Sequence, residues 1–296
     1  MISNAKTSGR LFRDAVAANK PLQIVGAVNA YCAMLAKEAG HKAIYLSGAG
    51  VANASYGLPD LGMTSLDDVL VDVRRIVAAC DLPLLVDIDT GWGGALNIAR
   101  TVREMERAGV GAVHMEDQIS AKRCGHRPGK EVVATGEMCD RIKSAVDGRR
   151  DPAFVIMART DAVASEGVEK GIERSLAYME AGADMIFAEA LRTLEDFKLF
   201  CSRVRVPVLA NITEFGKTPL LTREELGSAG ISMILYPLSA FRAMSKAALV
   251  VYSAIANDGT QKNAVPSMQT REELYGVLGY HAYEEQINKI AGNSKE

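Results

Sequence analysis

The chain has 296 residues, 48% of them hydrophobic and 24% charged, with a formal net charge of −2. That balance is ordinary for a soluble globular protein, and the length suits one large domain with a sizeable core. A net charge so near zero gives no global field favouring nucleic acid or an anionic membrane, so an anionic ligand has to be held by local positive charge.

Residues Met1 to Asp14 contain no signal-like apolar stretch, and no apolar run approaches membrane-spanning length. The cysteines (Cys32, Cys80, Cys124, Cys139 and Cys201) form no CxxC pair. Free thiols in a reducing cytoplasm are the expectation. The first strand-like run is Gln23–Val28, followed by Ala43–Leu46. A helix is predicted over Ser65–Ala79, with Thr64 or Ser65 as N-cap and Asp67 and Asp68 in its first turn. Then come strand Pro83–Ile88, helix Leu96–Ala108 stopping at Gly109, and strands Gly111–Met115 and Phe154–Met157. Helix Gly171–Ala181 stops at Gly182 and leads into strand Asp184–Phe187, with further strands at Val206–Ala210 and Ser232–Leu235. Helical segments Leu238–Ala256 and Thr270–Ile290 flank a polar, Pro-containing loop, Asn257–Met268.

Most of these runs are continuously apolar rather than alternating, which indicates a parallel sheet covered on both faces. Eight strands alternating with helices predict an α/β fold of the (β/α)8 TIM type, with a doubly wound open sheet as the alternative. The prediction is a single barrel domain over 1–296, in which 270–296 is a C-terminal helical extension that caps the barrel or packs on a neighbouring subunit.

Chemistry in such barrels sits at the C-terminal ends of strands. There the sequence places Tyr45-Leu46-Ser47-Gly48, Asp87-Ile88-Asp89, Glu116-Asp117-Gln118, Arg159-Thr160-Asp161, Glu189 and Asn211-Ile212-Thr213-Glu214. Asp87 and Asp89 alternate by two, so in an extended segment both point to one side. Two close carboxylates call for a cation or proton between them. With Glu116 the donors are all oxygen, which favours Mg2+, with Mn2+ as a substitute, over zinc. The alternative is one carboxylate capping a helix and the other in a salt bridge. Lys122 to Lys130 reads KRCGHRPGK, a Gly- and Pro-containing loop with Cys124 among cations. Such a thiol is lowered in pKa and can act as nucleophile, acid or base; a basic loop with an idle thiol is the alternative. Ser47-Gly48-Ala49-Gly50 lacks the third glycine of a dinucleotide fingerprint, where Asn53 stands. His114 lies within a strand and reads as a satisfied barrel residue rather than a ligand.

The loop Lys122-Arg123-Cys124-Gly125-His126 matches the signature K-[KR]-C-G-H, and the Tyr45–Gly48, Asp87–Asp89 and Glu116–Gln118 blocks fit alongside it. On these residues the chain resembles the isocitrate lyase and phosphoenolpyruvate mutase superfamily over nearly its whole length. The continuation Arg127-Pro128 and the blocks Asn211–Gly216, Leu235–Arg242 and Met268–Arg271 are similar to the branch that cleaves 2-methylisocitrate. Ala49, where some relatives have Gly, and Ala188, where some have Pro, are small departures near the pocket.

The resemblance implies cleavage of (2R,3S)-2-methylisocitrate to pyruvate and succinate, a step of propionate catabolism in the methylcitrate cycle. It implies Mg2+ on Asp87, Asp89 and Glu116, and either Tyr45 or a water on the metal as base. Cys124 would be the general acid tuned by Lys122 and His126, with Asp60 a further catalytic candidate. Arg159, Arg242 and Arg271 would pair with substrate carboxylates. Ser47, Gly48, Ala49, Gly125, Glu189, Asn211, Ile212 and Thr213 are carried over as substrate contacts. Phe187 and Leu235 would line the space for the extra methyl. The resemblance also implies an eighth helix exchanged between paired subunits, usually in a homotetramer. A 2,3-dimethylmalate lyase and a catalytically silent carboxylate-binding barrel are the competing readings.

Overall fold

Eight parallel strands close into a barrel in chain order. They are β1 Leu22–Gly26, β2 Ile44–Leu46, β3 Leu84–Asp87, β4 Ala112–Glu116, β5 Val155–Thr160, β6 Met185–Ala188, β7 Val208–Asn211 and β8 Met233–Tyr236. The computed structural model describes residues 6–119 and 131–292. Closure comes from β1 pairing with β8, where Leu22 lies opposite Met233 and Ile24 opposite Leu235. The open-sheet alternative is thereby excluded. Gly26 is needed at this seam, because a Cβ there would fall 1.7 Å from the Pro237 carbonyl oxygen.

Strands β2 to β7 are buried on both faces, β1 less completely on its outer one, and alternation sorts the side chains into two cores. Ile24, Tyr45, Leu85, Ala112, Val155, Met157, Met185, Phe187, Leu209, Met233 and Leu235 fill the barrel interior. Ile44, Leu46, Val86, Val113, Ile156, Ile186, Ala210 and Ile234 form the shell between strands and helices. Continuing the inward parity up each strand leads to Ser47, Asp87, His114, Glu116, Arg159, Glu189 and Asn211. Strands β2 to β7 therefore each deliver a polar residue to the C-terminal mouth where the apolar inward run stops, while β1 and β8 continue to Val28 and Pro237.

The helices follow the predicted pattern with local corrections. Helix Leu66–Ala79 is capped by Ser65, not Thr64, through a reciprocal capping box with Asp68. Helix Ala95–Arg107 ends before Gly109 at φ +89°. The helix predicted from Gly171 starts earlier, spanning Val168–Glu180. Gly171 is inside it for packing: a Cβ would lie 2.6 Å from Val163 Cγ2.

The chain divides into two compact units, Met1–Phe241 and Arg242–Glu296. The second holds most of helix Ser239–Asp258, a 3-10 turn at Lys262–Ser267, and helices Arg271–Leu278 and Tyr280–Ile290. The single helix predicted over Thr270–Ile290 is thus two, broken at Gly279 in the left-handed region at φ +67°. Among the described residues of this unit only Ala264 is buried. No described helix is long and apolar enough to cross a membrane.

Candidate active site

The mouth is built around Asp87, at the end of β3. Its Oδ2 accepts from the Gly48 N–H at 3.2 Å and the Tyr45 hydroxyl at 3.5 Å, and its Oδ1 accepts from the Asp89 N–H at 3.0 Å. Asp89 joins it, but not by strand alternation. The strand ends at Asp87, and Asp89 has a left-handed backbone at φ +49°. A turn, not an extended segment, brings the two carboxylates together; such conformations cost energy and cluster at functional sites. Asp89 Oδ1 and Asp87 Oδ2 lie 3.1 and 3.2 Å from the point a Cβ on Gly48 would occupy. The glycine keeps that space open. Ser47 is buried at the N-cap of the short turn Gly48–Gly50, next to Ala49.

His114 is the buried, partnered barrel residue that its place within a strand suggests, and its partner ties it to the mouth. Its ring is fully buried, stacks on Tyr45 and meets the edge of Phe187. His114 Nε2 lies 2.9 Å from the Tyr45 hydroxyl and 3.8 Å from Asp87 Oδ1. The signal was available: His114 shares parity with Ala112 below and Glu116 above, so it must face inward.

Arg159 holds the opposite side. Its Nε and Nη2 donate to Asp161 at 2.9 and 3.2 Å, while Glu116 lies 3.5 Å from Nε and Glu189 3.3 Å from Nη2. Its guanidinium carbon sits 4.9 Å from the Phe187 ring centroid. Burial alone would weaken the charged form, but the fields of Asp161, Glu116 and Glu189 outweigh it and hold Arg159 well above its ordinary pKa. Asn211 Nδ2 donates to Glu189 Oε2 at 3.1 Å, and Ala190 beyond it is left-handed at φ +65°. Thr213 is buried nearby in sequence, and Glu214 accepts from the Ser239 hydroxyl. The Ile212 side chain packs in the outer shell, because it falls on the outward parity of β7. Phe187 and Leu235 form part of the barrel interior.

Asp60 lies partly buried in the loop before helix Leu66–Ala79. Lys122, Cys124, Gly125 and His126 lie outside the described residues. The chain on either side is ordered by pairing: Ile119 N–H donates to Glu131 O, Val133 N–H to Asp117 O, and Gln118 bridges Val132. Arg141 Nη1 fixes the Gln118 carbonyl at 2.8 Å. Arg242 and Arg271 are exposed residues of the second unit.

Chemically, this mouth holds Asp87, Asp89, Glu116, Asp161 and Glu189, each no more than 4% exposed, and the last three of them face Arg159. Buried carboxylates in such excess attract a hard cation. The Asp87–Asp89 space left by Gly48 suits an ion held by oxygen donors. Among the described residues no three His, Cys, Asp or Glu side chains close into a ready-made cage. Glu116 is drawn toward Arg159 instead.

A family model described as phosphoenolpyruvate phosphomutase matches residues 12–256. The chain belongs to the phosphoenolpyruvate mutase and isocitrate lyase family. Its barrel is shared with solved structures of that family. The chain is 62% identical over 290 residues to the 2-methylisocitrate lyase of Shewanella oneidensis, covering 98% of this chain and 99% of that one. A crystal structure of 2,3-dimethylmalate lyase aligns at TM-score 0.88 and 31% identity, covering 97% and 96% of the two chains. Phosphonopyruvate hydrolase in complex with oxalate and Mg2+ aligns at TM-score 0.83 and 28% identity, covering 98% and 99%.

Proposed function

We propose that this chain is a lyase that cleaves (2R,3S)-2-methylisocitrate to pyruvate and succinate, as a step of propionate catabolism. The observation that carries this reading is the near full-length 62% identity to an enzyme named for that reaction. The oxygen-rich mouth supports a divalent cation, with Mg2+ the preferred ion and Mn2+ a substitute. Asp87, Asp89 and Glu116 would hold it. When bound, it supplies Lewis-acid polarisation of the 2-hydroxy acid end of the substrate.

The chain's own groups then divide the work. Tyr45 would take the proton from the C2 hydroxyl while its own hydroxyl proton passes to His114 Nε2, 2.9 Å away. The C2–C3 bond breaks, C2 becomes the keto carbon of pyruvate, and the electron pair moves to C3 and its carboxylate. Cys124 delivers a proton to C3 and completes succinate, with Lys122 and His126 tuning the thiol and Asp60 an auxiliary candidate. Arg159 pairs with a substrate carboxylate, and Arg242 and Arg271 are assigned the others. Ser47, Gly48, Ala49, Gly125, Glu189, Asn211 and Thr213 complete the pocket, while Phe187 and Leu235 border the methyl. Cys124→Ser should abolish turnover while substrate binding stays measurable by calorimetry; full activity would remove the acid from the scheme.

Self-association fits the same reading. Leu249, Val250, Tyr252 and Ile255 are exposed on helix Ser239–Asp258, and Tyr283, Ile287 and Ile290 on the last helix. Exposed apolar residues in such number are normally covered. Exchange of this segment between subunits of a cytoplasmic homotetramer, extending the single barrel domain of each, would cover them.

The test incubates purified protein with Mg2+ and 2-methylisocitrate, isocitrate or 2,3-dimethylmalate and follows keto-acid release. Pyruvate from methylisocitrate, abolished by chelation and restored by Mg2+, supports the proposal. Propionate with pyruvate from dimethylmalate as the fastest reaction would reassign the substrate. Tight binding with no product would indicate a silent carboxylate-binding barrel.

A further inference from the structure

Behind the mouth lies a buried polar cluster that the chemistry above does not use. Asp117 follows Glu116 but falls on the outward parity, between β4, β5 and helix Val168–Glu180. It is fully buried, as are Thr160, Asp161 and Tyr178. Its Oδ1 accepts from the Asp161 N–H at 2.8 Å. Its Oδ2 accepts from the hydroxyls of Thr160 and Tyr178, both at 2.8 Å. Its own N–H donates to the Arg159 carbonyl at 3.1 Å. So the bonds Asp117 makes fall largely on one stretch, Arg159–Asp161, at main chain and side chain alike. Tyr178 is held in turn by Arg174, whose Nη1 donates to its hydroxyl at 3.3 Å and to the Val133 carbonyl at 2.9 Å. Glu166 grips the other end of that guanidinium at 2.9 and 2.8 Å.

Burying a carboxylate this deeply is costly, and an apolar cluster of the same volume would pack there at less cost. What the polar cluster gives is direction. Asp161, fixed by Asp117 through its N–H, accepts both Nε and Nη2 of Arg159 and so sets the plane of the guanidinium. That plane decides whether Arg159 faces Glu116 and Glu189 as it does.

We propose that Asp117 is a positioning residue for Arg159, acting through Asp161, and that Tyr178 holds Asp117 in place for that task. The kinetic part of the proposal rests on Arg159 binding a substrate carboxylate, as in the function proposed above.

The test uses the full chain with Mg2+. Tyr178→Phe removes one donor to Asp117 without changing volume; it should raise KM for 2-methylisocitrate by about tenfold, the worth of one hydrogen bond to a charged group, and leave kcat within about threefold. Asp117→Asn, which turns an NH2 donor toward groups that themselves donate, should cost about a hundredfold in kcat/KM. In an Arg159→Lys background Tyr178→Phe should add less than about twofold, because the group it positions is gone. Additive losses in that background, or a lowered melting temperature with unchanged KM and kcat, would overturn the proposal. If Asp117→Asn fails to fold, Tyr178→Phe alone carries the test. If the wild-type protein turns over no methylisocitrate, the functional proposal fails by itself. A crystal structure of the Tyr178→Phe protein then decides the positioning claim: an Arg159 guanidinium shifted off Asp161 supports it, and an unmoved bidentate pair refutes it.

Discussion

Replacing Gly48 by alanine tests whether the space between Asp87 and Asp89 is a cation site. The new Cβ would lie 3.1 Å from Asp89 Oδ1 and 3.2 Å from Asp87 Oδ2. Carbon–oxygen contacts settle at about 3.3–3.6 Å, so each carboxylate has to withdraw by roughly 0.2–0.4 Å. That matches the tolerance of a metal site, about 0.2 Å in ligand distance, and Mg2+ is strict about geometry. The metal concentration giving half-maximal activity should therefore rise about tenfold, near the low end of what disturbed ligand support costs. The fold should hardly notice: Gly48 is helical, outside the positive-φ glycines, and alanine favours helix. The assay is initial rate against Mg2+ at saturating substrate, with thermal melts run beside it. An unchanged Mg2+ requirement in a folded Gly48→Ala protein would refute the assignment of this space to the cation.

Tyr45→Phe should lower kcat by about a hundredfold or more if its hydroxyl is the base, with KM changed far less; near-normal kcat would pass that role to a water. Asp184 accepts from Arg13, Arg149 and the Ile156 N–H at 2.8, 2.6 and 2.9 Å. Asp184→Ala should cost about 2 kcal/mol of stability, read as a lower melting temperature, and leave kcat/KM unchanged; a fall in kcat/KM at full stability would contradict this. Hydrogen bonding from Arg174 holds the Glu166 carboxyl below its usual 4.5 against partial burial. Its contribution is therefore present above pH 4.5 and lost as pH falls through the lower folded value. Glu166→Gln should narrow the stability gap between neutral and acid pH in a denaturant series, and an identical pH slope would refute the linkage.

Much of this was legible in the sequence because barrel strands declare themselves as short continuous apolar runs, most of them ending in a polar residue. Asp87, Glu116, Arg159 and Glu189 could be placed at one mouth from that pattern alone. Where reading failed, the reason is geometric. The Asp87–Asp89 pair was read as extended although Gly91, Gly93 and Gly94 follow it and mark a turn. Parity aims His114 inward, but its bond to Tyr45 needs the neighbouring strands in place. Gly279 interrupts a helical pattern whose periodicity runs on across it. The Asp117–Tyr178 contact spans 61 positions in sequence and could be seen only once helix Val168–Glu180 was laid against the sheet at β5.

The most direct test of the central claim is a competition. Equal concentrations of 2-methylisocitrate, isocitrate and 2,3-dimethylmalate are mixed with the protein and Mg2+, and all products are followed together by proton NMR. The ratio of early rates is the ratio of kcat/KM values. Pyruvate and succinate accumulating well ahead of glyoxylate and propionate is the predicted result. Propionate leading, or no product at all from an intact and folded protein, would contradict the account.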